Sequence, residues 1–361
     1  MAYNILGINP FHNGSVCVLA DGEIVYFLEE ERLSKTKYDA NPFSVILDVL
    51  SRFKINDVVI GGINSEHERE SLSYTKKNPY LTLIEKFTKD PNITYFNFSD
   101  HHHFSHSIHS YFHSGFSEAL SLVIDGGGGI LTNGEYIKET FFKISETSAK
   151  TIFQNSYKHA RFPFSINIAS AYANVTEKLG FQLNEEGKTM GLSSYGKNNP
   201  KIPIIFPDNL SDLNIVYEYI DNKSNRNRRV NIDISSDYNW HKDPSKITDL
   251  EKDLAWRIQD DTQKVVKNYI KKFIKKTGIK NVVCSGGYFL NCVANYYLTK
   301  NFPDIKFYFE PVSNDAGIAV GAAYWRWKEL NPNFQSKKLK SLYLGPQYSK
   351  KELLEGIKKY A

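Results

Sequence analysis

Cysteine is scarce, with three residues in 361, Cys17, Cys284 and Cys292, and no C-x-x-C pair among them. That argues against a disulfide framework or a cysteine-rich metal site. All three sit in apolar stretches, which reads as buried thiols in a reducing cytoplasm. Long hydrophobic runs are lacking too, so no stretch is expected to cross a bilayer. The start, "MAYNILGINPF", lacks the basic region followed by an apolar run that marks a secretory signal. The expectation is a cytoplasmic protein with no membrane contact. Charge of one sign is also missing. Forty-five basic against 40 acidic residues give +5, and clusters such as "KNYIKKFIKK" read as the wet face of a helix, so charge does not point to nucleic acid. What remains is ordinary globular composition, 41 % apolar and 24 % charged, with length for one large or two medium domains.

The first 35 residues read as strand, glycine-containing turn, strand, Asp21-Gly22 hairpin turn and strand. An echo follows in "EALSLVIDGGGGILTNGEYIKETFFKI": a strand ending at Asp125, a glycine run, a short strand, an Asn133-Gly134 turn and another strand. The repetition predicts a duplicated architecture. Helices are expected around 42–54, 66–74, 80–89, 165–181 (ending at Gly180) and 248–277. An Asn-rich stretch from about 198 to 247 reads as an irregular insertion. Near the end, "NVVCSGGYFLN" gives strand, Gly-Gly, helix, and a last helix begins near Asp315.

"SDHHHFSHSIHSYFHSGF", residues 99–116, holds six of the ten histidines. As a helix capped by Ser99 or Asp100, it places His102, His106, His109 and His113 on one face, with His101 and His103 pointing elsewhere. Two imidazoles at i, i+4 can share a metal ion, although for such a pair alone packing or surface exposure is the commoner outcome. A strand running into glycines is a ready anion site, because exposed N–H groups face a ligand that glycine lets approach. Two such turns, at "VIDGGGG" and "SGGYFLN", one in each half of a duplicated fold, describe the nucleotide cleft of the actin, Hsp70 and sugar-kinase type.

Six segments, "ILGINPFHNGSVCVLADGEIVYFLEEERLSKTKYD", "DHHHFSHS", "VIDGGGG", "EEGKTMGLSSYGK", "SGGYFLNCVAN" and "PVSNDAGIAVGAA", together resemble the O-carbamoyltransferases of the nodulation-protein and antibiotic-tailoring type, in that family's order and across nearly the whole chain. The resemblance implies an α/β fold: a duplicated actin-like ATPase (ribonuclease H-like) domain similar to the tRNA threonylcarbamoyl-transferase subunit, with two similar halves around a nucleotide cleft. It implies that carbamoyl phosphate and ATP yield a carbamoyl-adenylate, whose carbamoyl group passes to a hydroxyl or amine of a small molecule, sugar or nucleotide. Carried over by motif, His102, His106 and Asp315 hold Fe²⁺ or another divalent metal. His12 is the general base, and Lys37 pairs with phosphate or the carbamoyl oxygen. Asp125, Gly126, Gly127, Gly286 and Gly287 surround phosphate and ribose. Asn291 lies one turn into the following helix, facing the nucleotide, and Gly191 and Gly196 belong to a loop lining the cleft. His109 and His113 stand where the family has small or apolar residues and are not expected to be ligands.

The expected organisation is residues 1–117 and 118–340 as the two parts of the catalytic domain, with 341–361 beginning a linker. Relatives continue into a carbamoyl-adenylate-forming domain, and its "GPRALG"-type motif is not present here, so that activity is expected in cis in a longer chain or in trans. Aromatic segments such as "FNFSD" and "YNWHKD" leave room for a homodimer. Other readings stay open: tRNA threonylcarbamoyl transfer, a non-catalytic nucleotide-binding module, and a sugar kinase. The acceptor is not legible.

Overall fold

A computed structural model describes residues 2–62, 78–88, 93–98, 101–129, 131, 133–157, 167–202, 204–205 and 246–360. The opening hairpin forms where its turn residues demand it. Strands β1 (Asn4–Asn9), β2 (Ser15–Ala20) and β3 (Glu23–Glu29) run antiparallel, and Asp21 and Gly22 take φ of 49° and 85°. Both turn residues thus hold the positive φ of a tight hairpin. β4 (Asp57–Ile60) and β5 (Thr94–Asn97) join in parallel, giving the order β3-β2-β1-β4-β5. The expected helix around 42–54 is Phe43–Arg52, which buries Val45, Ile46 and Val49. That around 80–89 is Pro79–Phe87, where Asn78 caps the N–H groups of Tyr80 and Leu81. The helix expected at 66–74 lies outside the described residues.

The second sheet repeats this plan. Strands β6 (Glu118–Ile124), β7 (Tyr136–Ser145) and β8 (Ala149–Tyr157) are antiparallel, and β9 (Asn281–Ser285) and β10 (Lys306–Phe309) add in parallel on the other side of β6. The order β8-β7-β6-β9-β10 matches the first sheet strand for strand and sense for sense. The chain therefore has the duplicated actin-like, ribonuclease H-like α/β fold. Its two compact units are Met1–His109 with Asp315–Phe334 and Leu339–Ala361, and Ser110–Asn314 with Gln335–Lys338.

The echo differs from its sequence reading in one respect. Leu131 is not in a strand, and β6 pairs with β7 directly. Four successive glycines offer no side chains to hold a strand. The run makes two backbone hydrogen bonds to the start of β7, from Gly128 N to Ile137 O (2.7 Å) and from Ile137 N to Gly129 O (3.0 Å). The third strand of the repeat is β8.

In the second unit, the helix Asp249–Thr277 starts at a capping box between Thr248 and Glu251 and ends at left-handed Gly278. Its Tyr269 and Phe273 meet fully buried Phe141 of β7 edge-on, at 5.1 and 5.3 Å between centroids. The helix expected over 165–181 is Ile168–Lys178. Residues 203 and 206–245, most of the expected insertion, lie outside the described residues. Cys17 and Cys284 are buried, and burial pushes both thiols upward. Cys292 is exposed, against expectation, because its apolar stretch turns there and begins the helix Cys292–Asn301.

Glu139 of β7 is enclosed, and burial raises its carboxyl from 4.5 to about 7 despite hydrogen bonds from Asn155 Nδ2 (2.6 Å) and the Ile168 N–H (3.0 Å). A raised carboxyl stabilises the fold fully below its unfolded value and stops doing so as pH rises through the folded one. Its contribution, about 3 kcal/mol, is therefore present below pH 4.5 and lost by pH 8. Urea unfolding at pH 4.5 and 8.5 is expected to show this loss in the native protein, and Glu139→Gln to flatten it.

Candidate active site

The histidine segment forms the helix His102–Ser114, and the neighbouring helix Gly317–Leu330 approaches it closely. A Cβ on Gly321 would collide with the Ser105 carbonyl, so only glycine permits this approach. Asp315 stands just before that second helix, where its own carbonyl accepts from the Ile318 N–H (3.0 Å). The approach brings Asp315 Oδ1 to 3.7 Å from His102 Nε2 and 3.5 Å from His106 Nε2. All three residues are buried. These separations exceed those of a good hydrogen bond and resemble the spacing of neighbouring ligands around one ion bonded at about 2.0–2.2 Å. Two imidazoles and a carboxylate are also the donor set that suits iron with open positions. The residues fit a divalent metal.

The other histidines are occupied differently. His109 Nδ1 meets the Ser105 carbonyl (3.1 Å), and His113 Nδ1 meets Glu310 Oε2 (3.0 Å), both buried. His101 is exposed and stacks on Phe98 at 4.6 Å. His103 is buried on a different side of the helix from the wheel face. Ser99 and Asp100, the expected caps, lie outside the described residues.

His12 is exposed on the turn after β1, and its ring stacks on Tyr38 at 5.4 Å. Lys37 Nζ lies 4.7 Å from the centre of the same tyrosine ring, so Tyr38 gathers the two expected residues. The loops that carry them are tied together from Gly14 N to Asp39 O (2.7 Å) and from Asn41 N to Pro10 O (2.9 Å). Asn13, Lys35, Tyr38 and Asn41 all have positive φ, 61° at Tyr38. An aromatic residue there costs about 1–3 kcal/mol, and such strain concentrates at functional sites.

In the second unit the two glycine turns follow β6 and β9, which are parallel neighbours with Val123 opposite Ser285. The turns therefore lie side by side. Asp125 Oδ1 accepts from the Gly287 N–H at 3.0 Å. Gly286 has φ 94° and ψ 156°, and a Cβ on it would strike the Ile124 backbone. Gly126 differs: it is exposed, and a Cβ there meets nothing within 4 Å. The packing of the chain does not demand glycine at that position, whereas close approach of a phosphate to the backbone would.

Two sequence placements change. Asn291 stands at the N-cap of the helix Cys292–Asn301, because Gly287–Leu290 forms a 3₁₀ turn first. Its Oδ1 accepts from Ala294 N (2.9 Å) and its Nδ2 donates to Gln259 Oε1 (2.8 Å). Gly191 is inside the helix Glu186–Ser193, not in a loop. Gly196 follows that helix and lies so close to the Lys252 carbonyl of the long helix that a side chain would collide. One residue went unread in the sequence. Lys138 of β7 is buried and donates from Nζ to the Gly126 carbonyl (2.8 Å). Its sequence signal is the charged pair in "YIKETFF", where a one-sided strand would expose every second residue.

The sequence profile described as "Carbamoyltransferase N-terminus" matches residues 73–324. Nodulation protein NolNO of Sinorhizobium fredii (strain NBRC 101917 / NGR234) is 26 % identical over 370 residues, covering 95 % of this chain and 50 % of that protein. Uncharacterized protein sll1178 of Synechocystis sp. (strain ATCC 27184 / PCC 6803 / Kazusa) is 27 % identical over 399 residues, covering 97 % and 62 %. Among solved structures, full-length HypF in its phosphate- and nucleotide-bound form superposes with a TM-score of 0.47 at 14 % identity, covering 91 % of this chain and 56 % of that one. The chain thus spans between half and two thirds of the length of these curated relatives. No helix among the described residues is long and apolar enough to cross a membrane. Because the profile covers well over half of the chain, and five of the six motifs quoted above lie within it, this chain belongs to the carbamoyltransferase family by its N-terminal domain.

Proposed function

We propose that this chain transfers a carbamoyl group from carbamoyl-adenylate to a hydroxyl or amine of a small molecule, sugar or nucleotide. The observation that carries this is the buried His102, His106 and Asp315 set within a chain of this family. The part of the longer relatives not matched here would make the carbamoyl-adenylate from carbamoyl phosphate and ATP. His102, His106 and Asp315 would hold the divalent metal, with Fe²⁺ the best fit to the donors. When bound, such an ion supplies positive charge that polarises a carbonyl or grips phosphate oxygens.

His12 takes the proton from the acceptor as the acceptor oxygen or nitrogen bonds to the carbamoyl carbon. The bond from that carbon to the adenylate oxygen breaks, and AMP leaves with the electron pair. The stacked Tyr38 ring holds His12 in place, and Lys37 offers its ammonium to phosphate or carbamoyl oxygen. Asp125, Gly126, Gly127, Gly286 and Gly287 receive the nucleotide phosphates and ribose.

The test supplies carbon-labelled carbamoyl phosphate and γ-labelled ATP, with the adenylating part of a relative in trans, to a panel of sugars, nucleosides and amines. Carbon label in an acceptor, falling about 10²–10⁴-fold in His12→Ala, is the expected result. Transfer of the γ-phosphate instead would make the protein a kinase and overturn the reading.

A further inference from the structure

We propose that Lys138 is a positioning residue that aims the Gly127 N–H at the nucleotide phosphates by gripping the Gly126 carbonyl from beneath. This rests on the nucleotide reading of the glycine turn given above.

β7 brings Lys138 opposite the end of β6, where its carbonyl accepts from the Asp125 N–H (3.3 Å). The next residue, Glu139, pairs with Ile124 and directs its carboxylate to the Ile168 N–H, so Lys138 projects to the other face. There its Nζ donates to Gly126 O at 2.8 Å and lies 3.8 Å from where a Gly127 side chain would begin. The side chain is enclosed, while Gly126 is exposed and Gly127 half-buried.

A trans peptide fixes the outcome. The carbonyl of Gly126 and the N–H of Gly127 belong to one plane and point in opposite directions. With the carbonyl held inward by a buried ammonium, the N–H must face outward. Of the N–H groups around it, those of Asp125 and Gly128 are already spent inward on β7 carbonyls. Polarisation by the ammonium also makes this peptide a stronger donor than its neighbours. Burying the ammonium is costly, and burial lowers its proton affinity against the pull of Glu139 and Asp125. A methionine would fill the same space without that cost, so packing alone does not account for a lysine here.

Equilibrium binding of adenosine, AMP and ATP to the native chain and to Lys138→Met tests the assignment. The variant is expected to bind ATP at least 10-fold more weakly and to keep its affinity for adenosine, which also reports that it is folded. Equal weakening of all three ligands, or none, would reduce Lys138 to a structural role and overturn the proposal. A second measurement needs no variant. With glycine selectively ¹⁵N-labelled, ATP but not adenosine should shift the Gly127 amide, and an unmoved amide would overturn the proposal. If the native chain binds none of the three ligands, the nucleotide reading fails and this inference falls with it.

Discussion

Gly286→Ala is expected to cost at least about 3 kcal/mol of stability and to abolish nucleotide binding. At φ 94° and ψ 156° the residue occupies a region that only glycine enters without strain. The added methyl would also be driven into the Ile124 backbone, which cannot retreat without breaking the parallel pairing of β6 with β9. Relief would move Gly287 away from Asp125 Oδ1 and so open the joint between the two turns. Gly126→Ala supplies the contrast. Its methyl enters open space, so its stability should stay within about 0.5 kcal/mol of the native protein while ATP affinity falls. Urea unfolding and ATP titration of both variants separate a glycine kept for the fold from one kept for a ligand. Native-like stability in Gly286→Ala would refute the close approach of the two turns.

The second large effect concerns the metal. Removing any of His102, His106 or Asp315 leaves two donors where three are needed. Changes to groups that merely support a ligand already cost about 10–100-fold in affinity or activity, and loss of a ligand should exceed that. His109→Gln and His113→Gln, on the same helix, are expected to keep the ion, because those rings already serve the Ser105 carbonyl and the Glu310 carboxylate. The comparison tests geometry, since all four histidines share one helical face and differ only in what lies opposite.

What was legible in the sequence was local. The Asp21-Gly22 turn acts within a few residues and forms where expected, and the helix expected over 248–277 forms as Asp249–Thr277. The duplicated plan followed from repeated turn chemistry, and the family resemblance agrees with the profile match. The wheel put His102 and His106 on one face, but only the close helix approach at Gly321 brings Asp315 to them, and no local signal announces that approach. Asn291 was misplaced because the chain spends four residues on a 3₁₀ turn after Gly286 before its helix begins. β8 was missed because "AKTIFQNSY" has little apolar alternation; its pairing to β7 across a long antiparallel register defines it. Lys138 was passed over because a strand lysine is usually solvated, and its burial depends on where the glycine run folds.

The most direct test of the account is the metal content of the purified chain, measured by elemental mass spectrometry beside His102→Ala and Asp315→Ala after loading with Fe²⁺ under anaerobic conditions. About one ion per chain in the native protein, lost in both variants and retained in His109→Gln, is the predicted result. A native chain that stays metal-free after loading, or variants that hold as much metal as the native protein, would contradict it.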